Sequence, residues 1–192
     1  MQQIRVMLVE DDQVWMKCLS KYLGKEEDIL IVKQAYTEEE ALQGNIEEID
    51  IALLDISLSE EEENNFNGLE IANLLNEKGF KIIMLTSWDE KDIILKAFDN
   101  GAINYVTKQS YKDIPRVIRE AFENKNSIHS DVAGILVNEL KIERRARPLT
   151  PSEREVYYLK ENGFSKTEIA KKLYKSAETI KKQLQKIYSK IK

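Results

Sequence analysis

Asp55 closes the apolar run Ile51-Ala-Leu-Leu54, and Glu10-Asp11-Asp12 follows another, Ile4-Arg-Val-Met-Leu-Val9. Thr86 closes a third, Ile82-Ile-Met-Leu85, and Lys108 follows a fourth, Tyr105-Val-Thr107. These residue types could together handle a phosphoryl group. An acidic cluster can hold a hard divalent cation, a carboxylate can accept a phosphoryl group, and a hydroxyl and an ammonium can hold its oxygens. Such chemistry requires the four run-ends to meet. In a parallel sheet covered by helices, strand ends of one polarity gather on one edge, where ligands usually bind.

The elements needed for that edge are legible. Strands fit near 4–9, 29–35, 50–54, 81–85 and 103–106, short and nearly all apolar, as expected where both faces are covered. Helices fit near 13–24, 38–46, 68–78, 90–99 and 111–124. Thr37-Glu-Glu-Glu40 reads as a capping box opening the second, and Gly101-Ala102 as the turn after the fourth. Five β–α units in series imply an α/β fold with a doubly wound, five-stranded parallel sheet.

The rest of the chain has a different character. Asp131–Leu140 reads as a linker helix, and the charged stretch Lys141–Pro148 as a boundary. Beyond it no strand signal appears. Thr150-Pro-Ser-Glu153 and Ser165-Lys-Thr-Glu168 are capping boxes, and Asn162-Gly163 ends the helix between them. Ile180, Leu184, Ile187 and Ile191 form the stripe of a longer last helix. Two short helices, a turn at Tyr174-Lys-Ser176 and a basic helix make a small all-α helix-turn-helix. Charge follows this division. Residues 145–192 carry ten Lys and three Arg against five Glu, a surplus of eight positive charges, so residues 1–144 carry a surplus of thirteen negative ones. A basic tail on an acidic body points to a polyanionic partner for the tail.

Several classes are excluded or disfavoured. No apolar run reaches membrane-spanning length, and the N-terminus enters a strand with no secretory leader pattern. Cys18 stands alone, which excludes a disulfide framework and fits a reducing cytoplasm; its helical setting suggests a core or boundary residue. One His (His129) and one Cys leave almost no basis for a zinc site.

The motifs together resemble a two-component response regulator of the LuxR type, a receiver domain joined to a LuxR-type helix-turn-helix. The receiver likeness runs over 4–126 through Leu8-Val-Glu-Asp11, Leu53-Leu-Asp55, Leu85-Thr-Ser87 and Gly101-Ala-Ile-Asn-Tyr-Val-Thr-Lys108. The second covers 149–191 through Leu149-Thr-Pro-Ser-Glu-Arg-Glu-Val156, Gly163-Phe-Ser-Lys-Thr-Glu-Ile-Ala170 and Ser176-Ala-Glu-Thr-Ile-Lys181. The resemblance implies a flavodoxin-like receiver at 1–126, a partly helical linker at 127–148, and a DNA-binding domain at 149–192. It makes Asp55 the phosphoacceptor for a sensor histidine kinase. Glu10, Asp11, Asp55 and the Ser57 backbone carbonyl would hold Mg²⁺, with Asp12 an alternative if the acidic pair is read one residue later. Thr86 and Lys108 would hold the phosphoryl oxygens, and Tyr105 would follow Thr86 into the space it leaves. Each of these residues also has a plainer reading: a strand-end cap for the acidic cluster, a solvated lysine for Lys108, an ordinary strand aromatic for Tyr105.

In the tail the resemblance points to double-stranded DNA, read by Thr179, Lys181, Lys182, Gln183, Gln185, Lys186 and Lys190 of the last helix. The lysines would contact phosphates and the glutamines base edges. There are departures. The loop after Asp55 is longer than usual and contains Glu60–Glu63, either a solvated loop or a screen against small anionic donors. Gln109 follows Lys108 where Pro is common. Gln183 and Lys186 stand where His and Asn are common. The usual fourth helix of the DNA-binding domain is not seen before the chain stops, so homodimerisation on phosphorylation is expected to come mostly from the receiver. Two other outputs remain in view: a protein–protein or phosphorylation-independent regulator, and an aspartyl-nucleophile phosphatase. The last needs a second Asp two positions after the nucleophile, where this chain has Ser57, so slow self-dephosphorylation is the only catalysis expected.

Overall fold

The computed structural model describes residues 3–43, 48–58, 66–125 and 127–191. Two compact units divide the chain, Met1–Gly134 and Ile135–Lys192.

In the first unit strands and helices alternate: β1 (Ile4–Val9), α1 (Gln13–Leu23), β2 (Ile29–Ala35), α2 (Glu38–Leu42), β3 (Ile51–Leu54), α3 (Asn67–Glu77), β4 (Lys81–Thr86), α4 (Lys91–Asp99) and β5 (Ala102–Thr107). A 3-10 helix, Lys108–Asp113, leads into α5 (Ile114–Phe122). The five strands lie in the order β2-β1-β3-β4-β5, and every pairing is parallel. The sheet is therefore the doubly wound one the sequence implies. Chain order reverses between β1 and β3, which opens the crevice at their C-terminal ends.

Period-two alternation decides which residues face which helices. Ile4, Val6 and Leu8 of β1 pack with Leu53, Leu85 and Val106 against Met16, Leu19 and Leu23 of α1 and Ile114, Val117 and Ile118 of α5. Each such buried side chain contributes about 1.5–3 kcal/mol. Cys18 lies off this stripe and is exposed, contrary to the core or boundary position expected for it, because Met16 and Leu19 occupy the inward positions of α1.

Three helix boundaries differ from expectation. The fifth helix begins at Ile114, since Ser110 leaves helical dihedrals and Pro115 sits in the first α-helical turn. Helix α2 stops at Leu42, where Gln43 becomes extended; residues 44–47 lie outside the described set. The linker helix is longer than 131–140. As α6 it spans Ser130–Ala146, and Ile142 and Ala146 are buried in the core of the second unit.

That core is completed by Leu149 and by α7 (Pro151–Glu161), α8 (Lys166–Lys172) and α9 (Ala177–Lys190), through Val156, Tyr157, Ile169, Ile180, Leu184 and Ile187. Both capping boxes expected in this unit form, whereas at α2 only half of the expected box does: Thr37 accepts from the Glu40 amide at 3.2 Å, but the Glu40 side chain accepts from the Tyr36 amide. Glu153 accepts from the Thr150 amide at 3.0 Å, and Glu168 from the Ser165 amide at 2.8 Å. Among the described residues no helix is long and apolar enough to cross a membrane.

Candidate functional site

The four run-ends do meet. Asp55 follows β3, Glu10 follows β1, Thr86 ends β4 and Lys108 follows β5, all at one edge of the sheet. Backbone bonds hold two of them in register: the Glu10 amide donates to Ala35 O at 3.0 Å and the Asp55 amide to Val9 O at 2.9 Å. All four are buried, and Lys108, the most accessible, is only 9% exposed.

The Lys108 ammonium stands between two carboxylates, 2.6 Å from Asp55 Oδ2 and 2.7 Å from Glu10 Oε2. The other Asp55 oxygen accepts from the Ile56 amide at 2.6 Å. Glu10, Asp11 and Asp55 present carboxylate oxygens all within 4.8 Å of one another, the arrangement a hard cation takes. The single ammonium does not balance this charge. Burial, and then the nearby Asp55 carboxylate, push the Glu10 carboxyl up to about 7. Burial also raises Asp11. Lys108 feels the opposite pull: burial alone would lower it, but Asp55 and Glu10 together hold it above the usual lysine value. A second cation would relieve the carboxylates, so the donor set fits a divalent ion.

Asp12 does other work. Its side chain caps α1, accepting from the Val14 amide at 2.7 Å and the Trp15 amide at 3.1 Å. Thr86 is fully buried, and its hydroxyl accepts from the Trp88 amide at 3.4 Å. Tyr105 is also fully buried, with its hydroxyl donating to Trp88 O at 2.7 Å. Burial, with Asp55 nearby, raises its phenol well above the usual value. The Ser57 hydroxyl lies 3.4 Å from the Trp88 indole nitrogen. Glu60–Glu63 lie outside the described residues.

Sequence reasoning passed over three contributors. Trp15 places its ring 5.3 Å from the Lys108 ammonium. Trp88 brackets the site through Tyr105 and Ser57. Gly68 opens α3 against the backbone of Asp55 and Ile56: a Cβ there would lie 2.1 Å from Asp55 O and 2.7 Å from Ile56 Cα. Only the glycine itself, in the first turn of a helix pattern, could have signalled that approach.

In the second unit the candidate reading helix α9 buries Ile180, Leu184 and Ile187 and turns Thr179, Lys181, Lys182, Gln185 and Lys186 outward. Two expected contacts sit differently. Gln183 is half-buried, and its side-chain oxygen has no hydrogen-bond partner among the described residues. Lys190 donates to both Glu153 oxygens, at 2.6 and 2.8 Å, tying the end of α9 to the start of α7. Lys190, and then the Thr150 amide, hold the Glu153 carboxyl down to about 2. Thr179 shares a 2.8 Å bond with Ser176, the residue that caps α9.

Comparison with known proteins gives three kinds of match. A family model described as the response regulator receiver domain matches residues 6–119. The response regulator protein VraR of Staphylococcus saprophyticus is 28% identical over 195 aligned residues, covering 98% of this chain and 90% of VraR. YvfU of Bacillus subtilis, described as an uncharacterized transcriptional regulatory protein, is 28% identical, with 98% of this chain and 90% of YvfU covered. Among solved structures, the two-component response regulator RcsB in complex with DNA superposes with a TM-score of 0.67 at 25% identity. That match covers 99% of this chain and 92% of RcsB.

Proposed function

The chain belongs to the response regulator receiver domain family, and from this premise we propose that it is a DNA-binding transcription regulator of the LuxR type, switched by phosphorylation of Asp55. The observation that carries the proposal is the Lys108 ammonium held on Asp55 and Glu10 at the sheet edge, beside a third carboxylate. Two carboxylates and an ammonium buried together at a sheet edge carry a cost in solvation, and groups perturbed in this way concentrate at functional sites.

An Asp55 carboxylate oxygen bonds to phosphorus as the P–N bond of a kinase phosphohistidine breaks, and the imidazole leaves with the electron pair. Lys108 holds the transferred oxygens as a point charge, and Thr86 offers them its hydroxyl. Glu10, Asp11, Asp55 and the Ser57 carbonyl would hold Mg²⁺, which when bound offsets the repulsion between a carboxylate and a phosphoryl dianion. Water later hydrolyses the acyl phosphate, restoring Asp55 and releasing inorganic phosphate. Beyond this slow self-dephosphorylation the chain is not an enzyme.

The receiver of this reading comprises 1–126, and the DNA-binding domain 149–192. Lys181, Lys182, Gln185 and Lys186 are the contacts best supported by their outward position on α9. Phosphorylation promotes receiver-driven homodimerisation, so that two reading helices engage a site of two half-sites. Effective concentration then raises affinity by roughly 10²–10⁴. The lone cysteine and the lack of any spanning helix among the described residues suit a cytoplasmic protein.

The test is labelling of the full chain by a phosphorylated histidine kinase or by acetyl phosphate, followed by gel shift and light scattering. Wild type should be labelled only with Mg²⁺ and should then dimerise and shift DNA. Asp55→Ala should take no label and keep its fold. Undiminished labelling of Asp55→Ala would falsify the assignment.

A further inference from the structure

Thr107 and Ser110 flank Lys108 in sequence, and one carboxylate outside the site holds both. Asp131 Oδ2 accepts from the Thr107 amide at 2.9 Å and from the Thr107 hydroxyl at 2.8 Å, while Oδ1 accepts from the Ser110 hydroxyl at 3.1 Å. These three bonds span the Thr107–Ser110 turn whose middle carries the Lys108 side chain to Asp55. Burial alone would raise the Asp131 carboxyl, but the Thr107 bonds and then the Ser110 bond together hold it below its usual value.

Asp131 is itself anchored. Asn104 of β5 is 3% exposed; its side-chain oxygen accepts from the His129 amide at 2.9 Å and its nitrogen donates to Ser127 O at 3.1 Å. His129, also 3% exposed, bonds Asp113 through Nε2 at 3.0 Å and accepts from the Asp131 amide at Nδ1 at 3.2 Å. Val132 is fully buried. The segment before and through the first turn of α6 is therefore fastened to β5 and to the 3-10 helix after it. A segment serving only as a tether would need none of these buried polar bonds, each of which must offset its own desolvation.

We propose that Asp131 is a positioning residue for phosphotransfer: by gripping Thr107 and Ser110 it sets where the Lys108 ammonium sits, and the same bonds pass the state of Asp55 to the first turn of α6. The proposal rests on Asp55 being the phosphoacceptor. Coupling of this kind is reciprocal. If a closed grip places Lys108 for the phosphoryl group, a phosphoryl group on Asp55 that pulls Lys108 into place tightens the grip.

The experiment is a double-mutant cycle on the full chain, reading the rate of labelling by acetyl phosphate with Mg²⁺. Asp131→Ala should slow labelling roughly tenfold or more, as expected when a reacting group is misplaced by a fraction of an ångström. In a Lys108→Ala background the same change should alter the rate by less than about twofold, because there is then no ammonium to misplace. Asp131→Asn keeps an acceptor for Thr107 and gains a donor for the Ser110 oxygen, so it should restore most of the rate. Thr107→Val with Ser110→Ala removes the two hydroxyl bonds of the grip without touching α6, leaves the Thr107 amide bond, and should reproduce part of the loss. The reverse direction is read at the Thr107 amide, whose hydrogen exchange should slow on phosphorylation in wild type and stay fast in Asp131→Ala. An equal slowing by Asp131→Ala in both backgrounds, or no slowing at all, overturns the proposal, as does a Thr107 amide indifferent to phosphorylation. A wild-type chain that takes no label at Asp55 instead overturns the functional reading beneath it.

Discussion

Two lysine–carboxylate clusters, one in each unit, use the same chemistry to opposite ends. Lys108 meets Glu10 and Asp55 in the first; Lys190 meets Glu153 in the second. In the first, one ammonium faces a group of carboxylates, and Glu10 is pushed up to about 7 by burial and by Asp55. In the second, one carboxylate receives an ammonium and a helix N-terminal amide, with the Lys186 ammonium 3.6 Å away, and is held down to about 2. The shifts have different causes: burial and then the neighbouring Asp55 carboxylate raise Glu10, whereas the Lys190 bond and the Thr150 amide lower Glu153. The first cluster therefore gathers more negative charge than its one ammonium offsets, and the second does not.

The largest test of that contrast is removal of each lysine. Lys108→Ala should slow labelling of Asp55 by about 10²-fold, the usual cost of losing a preorganised charge on the transferring group, while leaving helix content unchanged. Lys190→Ala should leave labelling untouched and instead speed hydrogen exchange in α7 and α9. A chemical effect from Lys190, or none from Lys108, would break the comparison.

A backbone test comes next. Gly68→Ala forces a methyl group to within 2.1 Å of Asp55 O unless α3 moves away. It should cost about 1–3 kcal/mol, as overpacking typically does, and lower the labelling rate because the displaced backbone carries Asp55. Urea unfolding of the full chain and the labelling assay measure the two effects separately. Unchanged behaviour in both would mean that the tight approach is not needed.

The Glu153 carboxyl is depressed in the folded chain, so its contribution is complete above the unfolded value of about 4.3 and is lost as pH falls toward about 2. Exchange protection in α7 should therefore fall between about pH 4.3 and 2. Glu153→Gln should begin less protected and lose less across that window. Parallel pH curves for the two proteins would show that Glu153 is not the group responsible.

The smallest effect sharpens the division of labour within α9. Lys182→Ala should weaken DNA binding and reduce the slope of log affinity against log salt by about one, as for a lost phosphate contact. Lys190, engaged with Glu153, should leave that slope almost unchanged when replaced. Equal slopes for Lys182→Ala and Lys190→Ala would place both on DNA.

Periodicity and caps made much of the fold legible. The alternation of Ile4, Val6 and Leu8, the Thr150–Glu153 and Ser165–Glu168 boxes, and the stripe from Ile180 to Ile187 are all short-range signals, and each element they imply is present. Asp55, Glu10 and Lys108 were legible for a related reason: each terminates a strand, and parallel strands of one polarity bring their ends together whatever the loops between them do. Tertiary structure alone decided the partners. That Lys190 pairs with Glu153, that Gly68 touches the backbone of Asp55, and that Asp131 grips Thr107 and Ser110 all depend on residues far apart in sequence or on a fit of a few tenths of an ångström. Helix and strand signals repeat every few residues and can be read from a window. A hydrogen bond between residues separated by 24 or 37 positions leaves no periodic trace, and only the packed chain selects it from the many acceptors within reach.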